Sequence, residues 1–160
     1  MADGSEPLSQ QCTNKVGEIC WLEIPVHDAA RAQKLYADVF GWECNPEAIP
    51  KGDHGVASLH FFSSKAKGIN GAFLLMEEGY EATKYGKLGG KEVLPPLPTF
   101  CVEECDATLD KVKSHGGKTQ WRRRPAKSEN SPKTEIGGDM GFYARFTDTE
   151  GNVIGIWSQK

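Results

Sequence analysis

The chain has 160 residues, a length typical of one domain and too short for two large ones. Hydrophobic residues make up 38% and charged residues 26%, a composition typical of a soluble globular protein and not of a disordered chain. Lys and Arg number 19 against 22 Asp and Glu, so the formal net charge is −3 and gives no reason to expect nucleic acid or an anionic membrane as a partner. No apolar run approaches the ~20 residues of a membrane span, and residues 1–14 lack the apolar centre of a secretory signal.

The cysteines favour free thiols over a disulfide or zinc framework. Cys101 and Cys105 have no second Cys or His pair at the spacing of a structural zinc site, which needs four ligands. We therefore expect a protein of the reducing cytoplasm. The five cysteines are odd in number, scattered and without C-x-x-C spacing: Cys12, Cys20, Cys44, Cys101 and Cys105.

The first half of the chain predicts a strand, a helix and three further strands. After a polar tail over residues 1–15, alternation of apolar and polar residues over 16–28 predicts a strand with two distinct faces. Asp28 is a good N-cap for a helix over residues 29–40, whose apolar residues recur at helical spacing, and Gly41 ends this helix. The three further strands are predicted over residues 42–49, 56–63 and 69–77.

The same order returns after a Gly- and Lys-rich connector over residues 79–96. A strand over residues 99–103 precedes a helix over residues 107–115, which Asp106 would cap. A turn over residues 148–152, with Gly151 available for a positive φ, is typical of a hairpin. The strands expected around this turn cover residues 118–123, 141–147 and 153–158, and a polar loop covers residues 128–139.

These two successions of elements form an internal repeat of pattern, with modules over residues 16–78 and 97–160. We expect an α+β fold in which two βαβββ modules form curved mixed sheets around a concave cavity, with the helices on the outer face. The two modules would share one structural domain.

Two segments resemble a known superfamily. They are IPVHDAARAQKLYADVFGWE, which begins at Ile24, and MGFYARFTDTEGNVIGIWSQ, which begins at Met140. Both are similar to signatures of the vicinal-oxygen-chelate superfamily, which includes glyoxalase I, bleomycin-resistance proteins and extradiol dioxygenases. The chain departs from them at Leu35, where Phe is usual, and at Thr149, where Pro is usual. The resemblance covers about residues 16–159 and implies the fold more firmly than the function, because this fold hosts many chemistries.

The resemblance also implies four inward positions for a divalent metal, one on the first and one on the last strand of each module. Matching the motifs places these positions at Trp21, Gly71, Leu97 and Gly155. None of these residues offers a metal ligand, whereas a catalytic site normally needs three or four His, Glu, Asp or Cys side chains. We therefore expect no metal and no other cofactor.

The inward side of the first strand carries the first candidate site residues. Glu23 is a candidate general base if burial raises its pKa towards neutrality, or it pairs with an arginine or meets solvent. Trp21 beside it stacks on a planar ligand, or fills the space that the metal site left. An off-register metal set of Glu23, His60 and Glu77 has suitable chemistry but no recognised spacing.

Other candidate residues lie on later strands. His60 is either a structural histidine or an acid–base group, and a shift of one residue would turn Leu59 and Phe61 inward instead. Tyr143 and Arg145 are expected to face the cavity, where Arg145 would clamp a carboxylate or phenolate, or neutralise Glu23.

The function predicted from these residues is binding of a small aromatic or apolar molecule without a metal, as in the bleomycin-resistance branch. The alternative is a metal-free isomerase, lyase or cyclase that uses Glu23 with His60 or Tyr143 as acid and base. A metal-dependent lactoylglutathione lyase is less favoured, and a homodimer is expected because exposed strand edges favour closure. The predicted ligand-binding residues are Trp21, Phe73, Leu97, Cys101, Arg145 and Trp157.

Overall fold

The structure is a computed structural model that describes residues 19–64, 69–82, 86–88, 91–93, 95–120 and 132–160. The first group of elements is β1 (Trp21–Val26), α1 (Ala29–Phe40), β2 (Trp42–Asp53), β3 (Val56–Ser64) and β4 (Asn70–Met76). A short hairpin follows, formed by β5 (Gly86–Leu88) and β6 (Lys91–Val93). The second group is β7 (Thr99–Cys101), α2 (Cys105–Ser114), β8 (Lys118–Gln120), β9 (Thr134–Glu135), β10 (Phe142–Thr147) and β11 (Val153–Ser158).

The two groups build sheets of the same topology. The first sheet has the strand order β1-β4-β3-β2, and the second has the order β7-β11-β10-β8, with β9 paired to β10 outside this path. In each sheet the first strand runs parallel to the last, β1 to β4 and β7 to β11, and the remaining pairs are antiparallel. The expected fold class, two βαβββ modules with mixed sheets, is therefore confirmed.

Both ends of α1 follow from the sequence as predicted. Asp28 has an extended backbone, and its side chain accepts a hydrogen bond from the N–H of Arg31, so it is the N-cap. At the other end Gly41 adopts the left-handed conformation with φ of 70°, and its N–H donates to the carbonyl of Ala37. The helix thus ends where only glycine meets the backbone requirement without strain.

The start of α2 differs from the prediction. Glu104, and not Asp106, is the N-cap, because the Glu104 carboxylate accepts a hydrogen bond from the N–H of Ala107. Lys133 lies against both carboxylates, at 3.0 Å from that of Asp106, and so ties the segment before β9 to the helix start. These contacts lower the pKa of Glu104 to about 2, the hydrogen bond from Lys133 being the main cause.

A single apolar core joins the two modules on the helix-bearing sides of their sheets. The ring of Phe40 at the end of α1 lies 5.1 Å from that of Phe100 on β7 and 6.3 Å from that of Phe146 on β10, between ring centroids. Trp42 meets Phe100 edge to face. The buried residues of this core are Ile24, Val26, Ala29, Ala32, Leu35, Tyr36, Trp42, Phe62, Phe73, Cys105, Leu109, Val112, Ala144, Phe146, Ile154 and Ile156.

The opposite side of each sheet, here called the open face, carries mostly exposed or half-buried residues. Side chains alternate along a strand, so Leu22, Ile24 and Val26 of β1 face the core, whereas Trp21 and Glu23 lie on the open face. The two open faces are therefore the parts of the sheets that remain accessible to a ligand.

Parts of the connector and of the predicted loop are strands. The β5–β6 hairpin lies within the connector predicted over 79–96, and β9 lies within the loop predicted over 128–139. The run of three arginines at residues 122–124 lies outside the described residues. No helix in the described ranges is long and apolar enough to cross a membrane.

Candidate functional site

The register of the first sheet aligns its open-face residues in rows, because directly paired residues project to the same side. Glu23 pairs with Ala72 on β4, which pairs with Phe61 on β3. The row beside it contains Trp21, Asn70, Ser63 and Glu43, one from each of the four strands. A further row contains Pro25, Leu74, Leu59 and Ile49. The open face is thus largely apolar, with its polar groups concentrated in the Trp21 row.

Trp21 and Phe61 form an aromatic pair on this face although a strand separates them. Their ring centroids are 5.7 Å apart and their planes meet at 81°, an edge-to-face geometry. The rings reach across β4, where the open-face residue between them is the small and fully buried Ala72. Trp21 nevertheless remains 45% exposed, so a large part of its surface is available to a ligand.

A cavity of about 660 Å³ lies beside this aromatic pair. Its volume falls within the range of ~300–1,000 Å³ that is typical of small-molecule sites. Sequence reasoning missed its polar residues, because their convergence depends on the pairing of four strands. The cavity is lined by Trp21, Glu43, Cys44, Asn45, Phe61, Phe62, Ser63, Asn70 and Gly71.

His60 and Phe73 lie on the opposite side of the sheet from the predicted one. Phe73 is fully buried in the core, with ring centroids of Phe62 and Tyr36 at 4.8 and 5.2 Å, and His60 pairs with it across β3 and β4. The His60 ring nitrogen Nε2 is 3.0 Å from the Ser58 hydroxyl, and burial lowers the pKa of His60. The shift of one residue considered for this strand is therefore the observed arrangement, and Phe61 takes the open-face position.

The predicted residues of the second sheet share its open face. Tyr143, Trp157 and Cys101 form one row, and Arg145 lies in the next row with Gly155 and Thr99. The Trp157 indole N–H donates to the carbonyl of Met140 at 2.8 Å. The added Cβ of a residue at Gly155 would lie 3.3 Å from Leu97, so Leu97 also borders this row. Glu23 and Trp21, by contrast, belong to the first sheet.

The divalent metal that the fold family implies does not fit the residues present. Gly71 projects to the core side, where an added Cβ would meet the Phe62 ring at 2.4 Å. On the open face, the residue of the first sheet that is equivalent to Gly155 is therefore Ala72. Ala72 pairs with Glu23 of β1, and Gly155 pairs with Thr99 at the matching position of β7. Ala72 offers no ligand either, and an added Cβ at Gly155 would lie 2.4 Å from the Thr99 hydroxyl. Neither Ala72 nor Gly155 carries a side chain that could bind a metal.

The alternative metal set is also not assembled. Among the described residues no group of three or more His, Cys, Asp or Glu side chains is placed to hold a metal ion. Glu23, His60 and Glu77 are all described, and the register puts His60 on the side of the sheet opposite Glu23. This set therefore does not replace the missing ligands.

A second cavity of about 680 Å³ lies between the end of α1 and the start of α2, bordered by Phe40, Cys101 and Lys111. Two carboxylates line it, Glu103 and Glu104, and Glu104 is engaged by Lys133 and by the N–H of Ala107. Because this carboxylate caps α2, we assign the candidate ligand site to the cavity beside Trp21.

The turn at residues 148–152 fastens the second module to the first. The Glu150 carboxylate accepts hydrogen bonds from the N–H groups of His27 and Asp28, both at 2.9 Å, and pairs with Arg31 at 2.7 Å. Burial opposes ionisation of Glu150, but the hydrogen bonds from Arg31, His27 and Asp28 outweigh it and lower its pKa. Glu150 therefore stabilises the start of α1, although it belongs to the other module.

Asp148 holds the same turn from within the core. Its carboxylate accepts hydrogen bonds from the hydroxyl of the fully buried Tyr36 at 2.9 Å and from the N–H groups of Glu150 and Asn152. Burial raises the pKa of Asp148 against these hydrogen bonds. Gly151 has φ of 92°, which confirms the predicted positive-φ position in this turn.

Comparisons with known proteins agree with this architecture. The family model described as "Bleomycin resistance protein-like N-terminal" matches residues 18–54. The mycobacterial protein "Putative glyoxylase CFP32", from Mycobacterium bovis and Mycobacterium tuberculosis, is 28% identical over 139 residues, 86% of this chain. The chain spans only 44% of the length of these curated relatives.

Solved structures share the fold at low sequence identity. The antibiotic-binding protein TnmS3 from Streptomyces sp. CB03234 matches with a TM-score of 0.54 and 18% identity, over 89% of this chain and 96% of that one. The fosfomycin resistance protein FosX from Listeria monocytogenes, in a mutant form complexed with Mn(II), matches with a TM-score of 0.56 and 14% identity, over 91% of each chain.

Two βαβββ modules with parallel first and last strands define the vicinal-oxygen-chelate fold. The chain shares this fold, and in sequence it is similar to glyoxalase-like and bleomycin-resistance-like proteins.

Proposed function

We propose that the protein binds a small, largely aromatic organic molecule on the open face of its first sheet, without a metal ion. The observation that carries this proposal is the half-exposed Trp21 ring, held edge to face by Phe61 at the wall of the 660 Å³ cavity. An exposed indole is poorly solvated by water, whereas a planar ligand stacked on it removes apolar area from both partners.

The comparisons are consistent with such a role. TnmS3 is an antibiotic-binding protein with the same fold, and FosX with Mn(II) shows that the fold also carries a metal site. This chain differs from such a metal-binding protein because the four positions equivalent to metal ligands hold Trp21, Ala72, Leu97 and Gly155. Binding without a metal is therefore better supported by the residues than metal-dependent isomerisation is.

Replacing Trp21 with Ala is expected to weaken binding of aromatic ligands about tenfold or more, because stacking on an indole contributes on the order of 1 kcal/mol beyond its buried area. A panel of aromatic metabolites would first be screened by thermal shift, and hits measured by calorimetry on the wild type and the variant. Ile49→Ala is the matched control, since Ile49 is 44% exposed on the same face but does not line the cavity. Equal affinity for the wild type and Trp21→Ala would contradict the proposal.

Removing divalent metal is expected to leave both the melting temperature and ligand binding unchanged, because no folding free energy is tied to coordination. The measurement is elemental analysis of the purified protein, followed by melting with and without EDTA. We expect well under one equivalent of Zn, Ni, Fe or Mn. Stoichiometric metal whose loss lowers the melting temperature would overturn the metal-free proposal.

A metal-free isomerase, lyase or cyclase is the second candidate. Its support is Glu23, a carboxylate on the open face next to Trp21, whereas Tyr143 lies on the open face of the other sheet. The face assignment removes His60 from this candidate. Mass spectrometry of a bound ligand after incubation separates the two functions, since consumption that disappears in Glu23→Gln would establish catalysis. The expected homodimer and cytoplasmic location stay predictions.

A further inference from the structure

The cavity beside Trp21 has hydrogen-bonding groups directly next to its aromatic wall. Asn70 on β4 pairs with Trp21 on β1, and Ser63 on β3 pairs with Asn70, so the three side chains stand side by side on the open face. All three line the cavity of about 660 Å³. Because neighbouring strands lie only about 4.7–4.9 Å apart, a flat ring that stacks on Trp21 has one edge within reach of Asn70 and Ser63.

The polar atoms of Asn70 and Ser63 are open to a ligand. Asn70 is exposed and Ser63 is half-buried, and neither side chain hydrogen-bonds to another group among the residues that the structure describes. Asn45 also lines the cavity, but its carboxamide oxygen accepts a hydrogen bond from the N–H of Glu47 at 2.9 Å. Glu43, the charged residue of the lining, has an interaction of its own within the protein. Recognition of the ligand's edge is therefore assigned to Asn70, with Ser63 beside it.

The chemistry of a carboxamide restricts the ring edge that Asn70 recognises. A carboxamide presents one acceptor oxygen and one donor nitrogen in the same plane. It forms two parallel hydrogen bonds with a ring edge that carries a donor beside an acceptor, as asparagine does with the edge of adenine. A lactam, in which a ring N–H adjoins a C=O, is such an edge on a flat ring. Because Asn70 and Ser63 are both uncharged, neither offsets a formal charge on this edge of the ligand.

We propose that the ligand of this cavity is a neutral, planar heteroaromatic compound with a lactam edge. Its ring packs against Trp21 and Phe61, its C=O accepts a hydrogen bond from Asn70 Nδ2, and its N–H donates to Asn70 Oδ1. The Ser63 hydroxyl bonds a further polar atom of the ring. This inference rests on the proposed function and names the chemical class of its ligand, with Asn70 as the specificity-determining residue.

The test compares three neutral bicyclic probes: 2-quinolone, N-methyl-2-quinolone and quinoline. The methyl group blocks the lactam N–H but keeps the ring and its carbonyl. Calorimetry on the wild type is expected to show 2-quinolone binding about tenfold more tightly than either of the others, since one bidentate pair accounts for a difference of this size. Asn70→Leu should lower the affinity for 2-quinolone about tenfold, to the level of quinoline, and leave quinoline binding unchanged.

The matched control is Gln33→Leu, which also replaces a carboxamide with leucine but lies on α1, outside the cavity lining. It should leave all three affinities as in the wild type, and melting curves check that both variants fold. Equal binding of 2-quinolone and N-methyl-2-quinolone to the wild type, or undiminished binding of 2-quinolone to Asn70→Leu, would overturn the lactam assignment while leaving the aromatic site intact. Binding of none of the probes or of the wider aromatic panel would overturn the proposed function itself.

Discussion

Glu150→Ala is expected to lower the free energy of unfolding by about 2–4 kcal/mol, a large effect for one residue in a turn. The Glu150 side chain is fully buried and accepts hydrogen bonds from His27, Asp28 and Arg31. Its loss would leave two N–H groups at the start of α1 without their acceptor. Arg31 is half-exposed and reaches solvent, which keeps the expected cost below that of a fully buried ion pair.

The pH dependence of this effect has a definite sign. Because the pKa of Glu150 lies below its ordinary value of 4.5, its ionised form stabilises the fold above that value, and this contribution disappears as the pH falls through the lowered pKa. The difference in stability between the wild type and Glu150→Gln should therefore be largest near neutrality and narrow in acid. The pKa of Asp148 is raised, so its ionisation lowers stability as the pH increases. Asp148 is present in both proteins, and its contribution therefore cancels in the difference.

Denaturant unfolding at several pH values measures both quantities. Glu135→Ala is the control, because Glu135 is exposed on β9 and its loss should change stability by less than about 0.5 kcal/mol. A Glu150→Ala protein as stable as this control would show that the 148–152 turn does not fasten the modules.

The contacts of this turn with the first module could not be predicted from the sequence. Local turn chemistry correctly predicted a hairpin with Gly151 at a positive φ, because those requirements involve only neighbouring residues. The contacts of Glu150 with Arg31 span 119 positions along the chain. Such contacts depend on how the two modules pack, which no local pattern specifies.

Element type was predictable where the hydrophobic period was clear. The alternation over β1 and the helical spacing over α1 predicted both elements and the end of α1 at Gly41. At α2 the nearest standard capping residue, Asp106, was wrong because Glu104 performs the same hydrogen bonding from two residues earlier. Glutamate is a less common N-cap than aspartate, so N-cap preferences favour Asp106 when only the sequence is considered.

Strand faces were predictable only where polar and apolar residues alternate. β3 and β4 contain runs such as Phe61–Phe62 and Ala72–Phe73–Leu74, in which consecutive residues are all apolar. Such a run does not show which alternate residues face the core, and a shift of one residue exchanges the two faces of the strand. This is why His60, Phe73 and Gly71 were placed on the wrong side, whereas Tyr143, Arg145 and Trp157, in better-patterned strands, share the expected one.

Phe73 and Phe61 provide a direct test of this face assignment. Phe73 is fully buried and its ring contacts those of Tyr36, Trp42 and Phe62, so Phe73→Ala should lower the free energy of unfolding by about 3–5 kcal/mol. Phe61 is half-buried on the open face, where its main described ring contact is Trp21. Phe61→Ala should therefore cost less than about 2 kcal/mol, because the truncated site remains open to solvent and leaves no closed cavity.

The two variants should also differ in binding. Phe61→Ala removes one of the aromatic walls and frees Trp21 to change its orientation, so affinity for an aromatic ligand should fall about tenfold at nearly native stability. Phe73→Leu, which keeps most of the core volume, should retain the wild-type affinity because residue 73 projects away from the cavity. Denaturant unfolding and calorimetry on the same preparations measure both effects. If Phe73→Leu lost the ligand while Phe61→Ala kept it, the open face of β3 and β4 would be the other one, and the cavity beside Trp21 would not be the binding site.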